Sequence, residues 1–240
     1  MIGLNVVATG SSGNCYFIRD GTRYLCLDCG ESVKIQDIRK GCDWNVNAID
    51  GVLITHRHSD HLPKVKNFLH SGIMCYSNDE TQEFVEITQG EVITGLAEKK
   101  LAQIADWKVL PYYVPHEDVP CFAYLIRTPS GEKVFYMTDF QYSPVTLKNI
   151  GINHFLIACN RTDDIPDDAE ARFHRIRGHS SLKVVMEFLE ASMTDDCKSV
   201  TVCHLSGLYA NAGLILDELR SLCGEKIKVN IARKGLKLEL

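Results

Sequence analysis

The spacing of apolar and polar positions divides the chain into short segments of alternating type. Residues 2–8 read as a strand, followed by the small-residue turn Thr9-Gly10-Ser11-Ser12-Gly13-Asn14. Residues 15–18 and 24–27 read as strands joined across Asp20-Gly21, a hairpin dipeptide. A helix is expected over 33–39. Residues 49–55 form an apolar, β-branched run bounded by polar residues, the pattern of a buried strand. Beyond it come a helix to residue 69, a short strand over 73–76, and a helix capped by Asn78 or Asp79 that runs to about residue 87. β-rich pieces fill 91–114. Residues 122–127 and 133–137 pair across Pro129-Ser130-Gly131, and 153–158 and 199–203 are further strands. A loop and short helix are expected over 163–174. A later helix reaches about residue 190 with Val184, Val185, Phe188 and Leu189 on one face. Residues 211–222 are helical, and strands at 227–231 and 236–240 close the sheet. No repeat, low-complexity tract or linker interrupts this order, so one domain spanning 1–240 is expected. Strands in two groups alternating with helices predict an α/β (α+β) fold, two mixed sheets packed together with helices on their outer faces.

The run 49–55 ends in His56-Arg57-His58-Ser59-Asp60-His61-Leu62-Pro63. On an extended chain His56 and His58 point to one side. Asp60 can cap a helix that begins at His61, with Pro63 tolerated in its first turn. Two imidazoles would then leave the strand end, and a carboxylate and a third imidazole the helix start. All four are donors for a divalent metal. The bland alternative is a polar loop that happens to be rich in histidine.

Other strand ends repeat the theme. Asp28, Asp139 and His204 each follow a predicted strand, and His116 lies just past another. Loops beyond strand ends at one sheet edge are where sites assemble. Taken singly, His116 reads equally as a surface histidine, Asp139 as a turn cap and His204 as a core histidine. Their joint order favours a site.

Composition narrows the setting. The chain has 240 residues, 45% of them hydrophobic and 24% charged, ordinary values for a globular protein. Residues 1–9 lack a basic start and a long apolar run, and nothing approaches the roughly 20 apolar residues of a membrane span. A cytoplasmic protein without a membrane partner is expected; a homodimer remains open. Ten scattered cysteines then read as reduced, buried small hydrophobes, Cys26-Leu-Asp-Cys29 among them. The net charge of −5 gives no bulk attraction for a polyanion. A phosphate ester would need a local basic patch; otherwise the substrate is small.

His56 to His61 resemble the HxHxDH signature of the metallo-β-lactamase superfamily, and Asp28, His116, Asp139 and His204 fall in that superfamily's motif order. The resemblance implies a four-layered αβ/βα sandwich with two divalent ions, zinc first, with manganese or iron as alternatives. His56, His58 and His116 would hold one ion, and Asp60, His61 and His204 the other. Asp139 would bridge them, and Asp28 would orient a ligand imidazole from behind. Two such ions can clamp a water-derived nucleophile and stabilise charge on a carbonyl or phosphoryl oxygen. His58 stands where oxygen-reducing diiron members carry glutamate, which argues for hydrolysis rather than redox chemistry.

Three further features narrow the branch. Ser11-Ser12-Gly13-Asn14-Cys15 resembles the start of the YycJ/WalJ-like nuclease group and its small phage-encoded relatives. His204-Leu205-Ser206 resembles the last histidine motif of that group and of ribonuclease Z. Gly178-His179-Ser180-Ser181 resembles the additional histidine that both carry before a helix. The resemblance makes Asp60 and His179 the catalytic candidates, His179 as a proton donor to the leaving group or a phosphate contact. Ser12 and Asn14 are candidate substrate contacts, as are Arg175 and Arg177 in Arg172-Phe173-His174-Arg175-Ile176-Arg177, which reads equally as a solvated face. One departure stands out: relatives often carry an acid after the strand that ends near Ala158, where this chain has Cys159-Asn160-Arg161. Either Asn160 or Asp163 takes that place, or the proton-transfer role of His179 is weakened. No insertion is long enough for ribonuclease Z's tRNA-gripping arm. The leading expectation is a metal-dependent phosphodiesterase acting on DNA or RNA, ahead of a small cyclic nucleotide and then of a carboxylic ester, thioester or lactone. Tyr112 and Tyr113 could stack on a base or simply pack in the core.

Overall fold

A computed structural model describes residues 2–117, 119–163 and 179–240. The first sheet contains β1 (Ile2–Ala8), β2 (Cys15–Asp20), β3 (Arg23–Leu27), β4 (Ile49–Leu53), β5 (Cys75–Ser77), β6 (Thr94–Gly95) and β14 (Lys237–Glu239), in the order β14-β1-β2-β3-β4-β5-β6. The second contains β7 (Ala102–Ile104), β8 (Trp107–Val114), β9 (Cys121–Arg127), β10 (Lys133–Met137), β11 (His154–Ala158), β12 (Ser199–Cys203) and β13 (Lys228–Ile231), in descending order from β13 to β7. Helices α1 (Ile35–Gly41), α2 (Val65–Leu69) and α3 (Asp79–Gln89) belong to the first half, and α4 (Leu182–Ser192) and α5 (Ala212–Cys223) to the second.

Period-2 alternation sorts neighbouring side chains into layers. Tyr16 points between the sheets, where it joins Leu27, Leu53, Trp107, Tyr124 and Tyr136. Phe17, the next residue, points the other way and packs with Ile38, Phe68 and Val85 of α1, α2 and α3. In the second sheet Tyr136 faces inward, while Phe135 packs outward on Val185, Phe188 and Leu189 of α4 and Ile215 and Leu219 of α5. The result is helix, sheet, sheet, helix: the four-layered sandwich the sequence predicts. Each large side chain fully buried this way contributes on the order of 1.5–3 kcal/mol.

Strand direction puts the chemistry at one edge. β3 and β4 are parallel, with Leu27 beside Leu53, so the segments after them emerge together. β10, β11 and β12 are also parallel, with Met137 beside Ile157 and Ile157 beside Val202. Asp139, Asn160 and His204 therefore leave the second sheet side by side. Helix starts follow sequence signals: Asn78, Ser181 and Asn211 each accept a hydrogen bond from the backbone N–H three residues on. Gly90 closes α3 in the left-handed conformation, at φ 66°.

Two expectations need correction. The last two strands do not close one sheet: β13 runs parallel to β12, whereas β14 pairs antiparallel with β1. The turn between them, with Gly235 at φ 84° and its N–H bonded to the Val6 carbonyl, carries the chain from one sheet to the other. Asp60 caps no helix either. Residues 59–64 form turns, and α2 begins only at Val65 without a side-chain cap, because the Asp60 carboxylate is drawn toward His61 and His204. The helix expected within 163–174 lies outside the described residues. All ten cysteines are free and buried. Among the described residues no helix is long and apolar enough to cross a membrane.

Candidate metal centre

At the shared edge of the two sheets seven donor residues converge in two groups. His56 Nε2 lies 3.0 Å from His58 Nδ1, which lies 3.1 Å from His116 Nε2. Beside them, His61 Nε2 lies 2.8 Å from Asp139 Oδ2 and 3.2 Å from Asp60 Oδ2. His204 Nε2 completes this second group, 2.9 Å from Asp60 Oδ2 and 3.3 Å from Asp139 Oδ2. Within each group one donor atom per residue falls within 4.8 Å of all the others. The groups adjoin, with the His56 and His61 rings 4.3 Å apart between centroids.

Three imidazole nitrogens aimed at one point cannot satisfy one another, because neutral rings share too few protons. Ligand nitrogens around a tetrahedral ion with bonds of 2.0–2.1 Å stand about 3.3 Å apart, close to the spacing seen here. The second group carries the matching electrostatic sign. Burial disfavours the charge on Asp139, yet the His204 and His61 rings outweigh it and hold its carboxyl well below the usual range. Asp60 behaves likewise through His61 and His204. Burial opposes a charge on His204, but Asp139 and Asp60 push its pKa up to about 9. Without a metal, protons on imidazoles must neutralise the buried Asp139 and half-buried Asp60 carboxylates. The donor set fits a divalent cation in each group.

A network behind the donors fixes their aim. Asp28 is fully buried and accepts bonds from the Thr55 N–H at 2.8 Å, the Tyr136 hydroxyl at 2.5 Å and His61 Nδ1 at 2.8 Å. The Thr55 hydroxyl lies 3.0 Å from Asp28 Oδ1 and 3.0 Å from His56 Nδ1, so a proton on that nitrogen finds the same carboxylate at one remove. Both rings thereby turn a bare Nε2 toward the cluster. Asn160 donates to Asp139 Oδ1 at 3.0 Å, and the Thr9 hydroxyl accepts from the His204 N–H at 3.0 Å. Asp28, Asp139 and His204 all sit at positive φ, between 46° and 57°. Each strand thus breaks sharply at its last donor, a strained conformation of the kind that collects at functional sites.

The loop after β1 supports Asp60 from below. Asn14 was expected to face a ligand, but it is wholly buried. Its Oδ1 accepts from the Gly10 N–H and the Tyr16 hydroxyl, and its Nδ2 lies 3.3 Å from Asp60 Oδ2. Asn14 thus holds a carboxylate in place and leaves no atom for substrate. Ser12, on the same loop, is exposed. Gly13, at φ 151°, lets this backbone pass Gly30, where a Cβ would lie 2.1 Å from the Asp60 carbonyl oxygen.

His179 arrives at the rim, its ring stacked at 30° over His116 with centroids 6.2 Å apart. It stands two residues before Ser181, the N-cap of α4. Asn160 also accepts from the Ser180 N–H and hydroxyl, while Asp163 accepts from the Lys183 N–H. Arg175 and Arg177 lie outside the described residues. Tyr112 packs in the core; Tyr113 is 38% exposed. Sequence reading missed the network residues Thr55 and Tyr136. A threonine directly before the first histidine is a usable signal for the former; a tyrosine within a strand is none.

Comparison with known proteins agrees with the geometry. Residues 23–194 match the family described as a beta-lactamase superfamily domain. An exodeoxyribonuclease YycJ of Bacillus anthracis is 25% identical over 218 residues, covering 84% of this chain and 81% of that protein. The metallo-beta-lactamase fold protein YhfI of Bacillus subtilis superposes with a TM-score of 0.77 at 16% identity, over 99% of this chain and 98% of that one. A diphosphatase from the PhnP family gives 0.72 at 16% identity, over 99% and 96%. By family match, fold and donor set together, the chain belongs to the beta-lactamase superfamily, as a hydrolase of the metallo-β-lactamase fold.

Proposed function

We propose that the chain is a dinuclear metal-dependent phosphodiesterase that cleaves nucleic acid, with DNA ends as the first substrate to test. The observation that carries this reading is the convergence of two donor groups, with the His179 ring stacked on His116 of the first. The resemblance over most of the chain to a protein named exodeoxyribonuclease supports the choice of nucleic acid.

In this reading His56, His58 and His116 would hold one ion and Asp60, His61 and His204 the second, with Asp139 as a further ligand. Zinc suits the set best, and manganese or iron would also fit. When bound, the ions supply an activated water and neutralise charge on the phosphoryl oxygens. The protein does the rest. Asp28, Thr55 and Tyr136 keep the imidazoles in the tautomer that faces the cluster. Asn14 and Asn160 fix the two carboxylates. His179, over His116, holds a proton for the oxygen that leaves phosphorus. Ser12 contacts the substrate from the β1 loop, and Arg175 and Arg177 are its phosphate partners. One cytoplasmic domain spanning 1–240 is the simplest organisation.

A panel of substrates tests this with manganese or zinc added: linear and duplex DNA and RNA, cyclic nucleotides, and a thioester and a lactone. Turnover of DNA that is lost in His58→Ala is the expected result. Turnover confined to cyclic nucleotides would replace polymer cleavage with small-molecule hydrolysis. Thioester or lactone turnover with no phosphodiester turnover would overturn the proposal.

A further inference from the structure

Away from the metal centre, a cavity of about 400 Å³ opens between the C-terminal end of α1 and the turn that enters β14. Its lining includes Lys40, Asp43, Trp44, Lys234 and Lys237 around Val7 of β1. Trp44 is 64% exposed, and its indole makes no hydrogen bond with a described residue. It is also strained. Asp43 and Trp44 are consecutive at φ 50° and 66°, a conformation that bulky side chains rarely adopt. The turn is pinned nonetheless. The Trp44 N–H bonds to the Arg39 carbonyl at 2.6 Å, and Asp43 accepts from the Tyr24 hydroxyl at 2.5 Å and pairs with Lys237. The backbone therefore holds a large apolar ring in water at a conformational cost.

The charge around it differs from that of the chain. Lys34, Arg39, Lys40, Arg233, Lys234 and Lys237 are exposed on these two segments, against Asp37 and Asp43. The protein as a whole carries 26 basic and 31 acidic residues. Asp37 and Asp43 are matched by Lys234 and Lys237, and Lys40 forms no ion pair with a described residue. Asp43 bonds Tyr24, which pairs with Ile49 at the start of β4, so Trp44 stands toward the sheet end opposite the donors.

We infer that this groove binds single-stranded nucleic acid, with one base stacked on Trp44 and the adjoining phosphate on Lys40, whose charge no described carboxylate matches. An exposed aromatic face beside basic side chains is the arrangement that recognises single strands, and a duplex presents no free base face to it. The ligand class rests on the nucleic-acid reading proposed above.

The test uses the full chain with added manganese and a phosphorothioate oligothymidylate, which resists cleavage. Trp107, the second tryptophan, is buried and hydrogen-bonded to Asp50, so quenching by the strand reports on Trp44. Anisotropy of a labelled strand should show binding about tenfold weaker or worse in Trp44→Leu, restored toward wild type in Trp44→Phe, and weakened in Lys40→Glu. Turnover of bis-p-nitrophenyl phosphate, too small to reach the groove, should be unchanged in all three. Equal strand binding by wild type and Trp44→Leu would overturn the inference, as would equal preference for duplex. A shift of Trp44 emission with protein concentration alone would also overturn it, by assigning the face to a second copy. If no phosphodiester is hydrolysed at all, the proposed activity fails while the binding data still decide the groove.

Discussion

Asp28 accepts a hydrogen bond from Nδ1 of His61 at 2.8 Å, across 33 positions of chain, with both side chains shut off from solvent. The bond leaves His61 Nε2 bare toward Asp60 and Asp139, and through Thr55 the same carboxylate serves His56. Asp28→Asn keeps the volume and removes the charge. Metal affinity should fall by about 10–100-fold, measured by competition with a chromogenic chelator. Unchanged affinity would mean that the imidazoles are oriented by packing alone.

Metal should stabilise the fold as well as enable turnover. Zinc or manganese at a thousandfold above its dissociation constant should raise the unfolding free energy by about 4 kcal/mol, and a chelator should reverse the gain. In His58→Ala the gain should shrink and phosphodiester turnover should disappear. Denaturant titrations with and without metal measure the first effect, and initial rates the second.

The role given to His179 has a leaving-group signature. A donor of a proton matters for a poor leaving group such as a sugar hydroxyl and little for p-nitrophenolate. His179→Ala should lower kcat on an oligonucleotide by about 10²–10⁴-fold, while bis-p-nitrophenyl phosphate loses far less. Equal losses on both would assign His179 to binding.

Gly30 is the tightest backbone crossing beneath Asp60. A methyl group there would stand 2.1 Å from the Asp60 oxygen and 2.6 Å from Gly13 Cα, both main-chain atoms that cannot rotate aside. Gly30→Ala should cost about 1–3 kcal/mol of stability and weaken metal binding together. Loss of stability with full metal affinity would show that the loops relax without moving Asp60.

His154, far from the donors, gives the fold an acid-sensitive point. Burial pushes its pKa from the ordinary 6.5 down to about 4, against the pull of Glu132, whose carboxylate lies 3.4 Å away. The folded chain therefore favours the neutral ring. Its contribution is intact above pH 6.5 and is lost as the pH falls from there through 4, because the unfolded chain takes up the proton first. Urea midpoints between pH 7 and 4 should fall more steeply in wild type than in His154→Gln.

The donors were legible because strand ends in a parallel sheet place chemistry at one edge, and a run such as His56 to His61 has few other uses. Both sheets and most helices follow from period-2 and period-3.6 spacing. Asn14 misled because an amide beside a glycine in a loop suits a ligand and a neighbouring carboxylate equally; only its burial decides. The switch of the last two strands between sheets was hidden because each is an ordinary short apolar run, and the partner depends on a turn at Gly235. Tyr136 was invisible since its inward neighbours give no sign that its hydroxyl ends on Asp28.

The seven donors come from both halves of the sandwich. His56, His58, Asp60 and His61 follow β4 of the first sheet, while His116, Asp139 and His204 follow strands of the second. A cation held among them acts as a rivet through the two layers, and its affinity becomes a gauge of their alignment. A substitution in the interlayer core, at Trp107 or Tyr124 for instance, could therefore detune the site from a distance by altering how the sheets seat on each other.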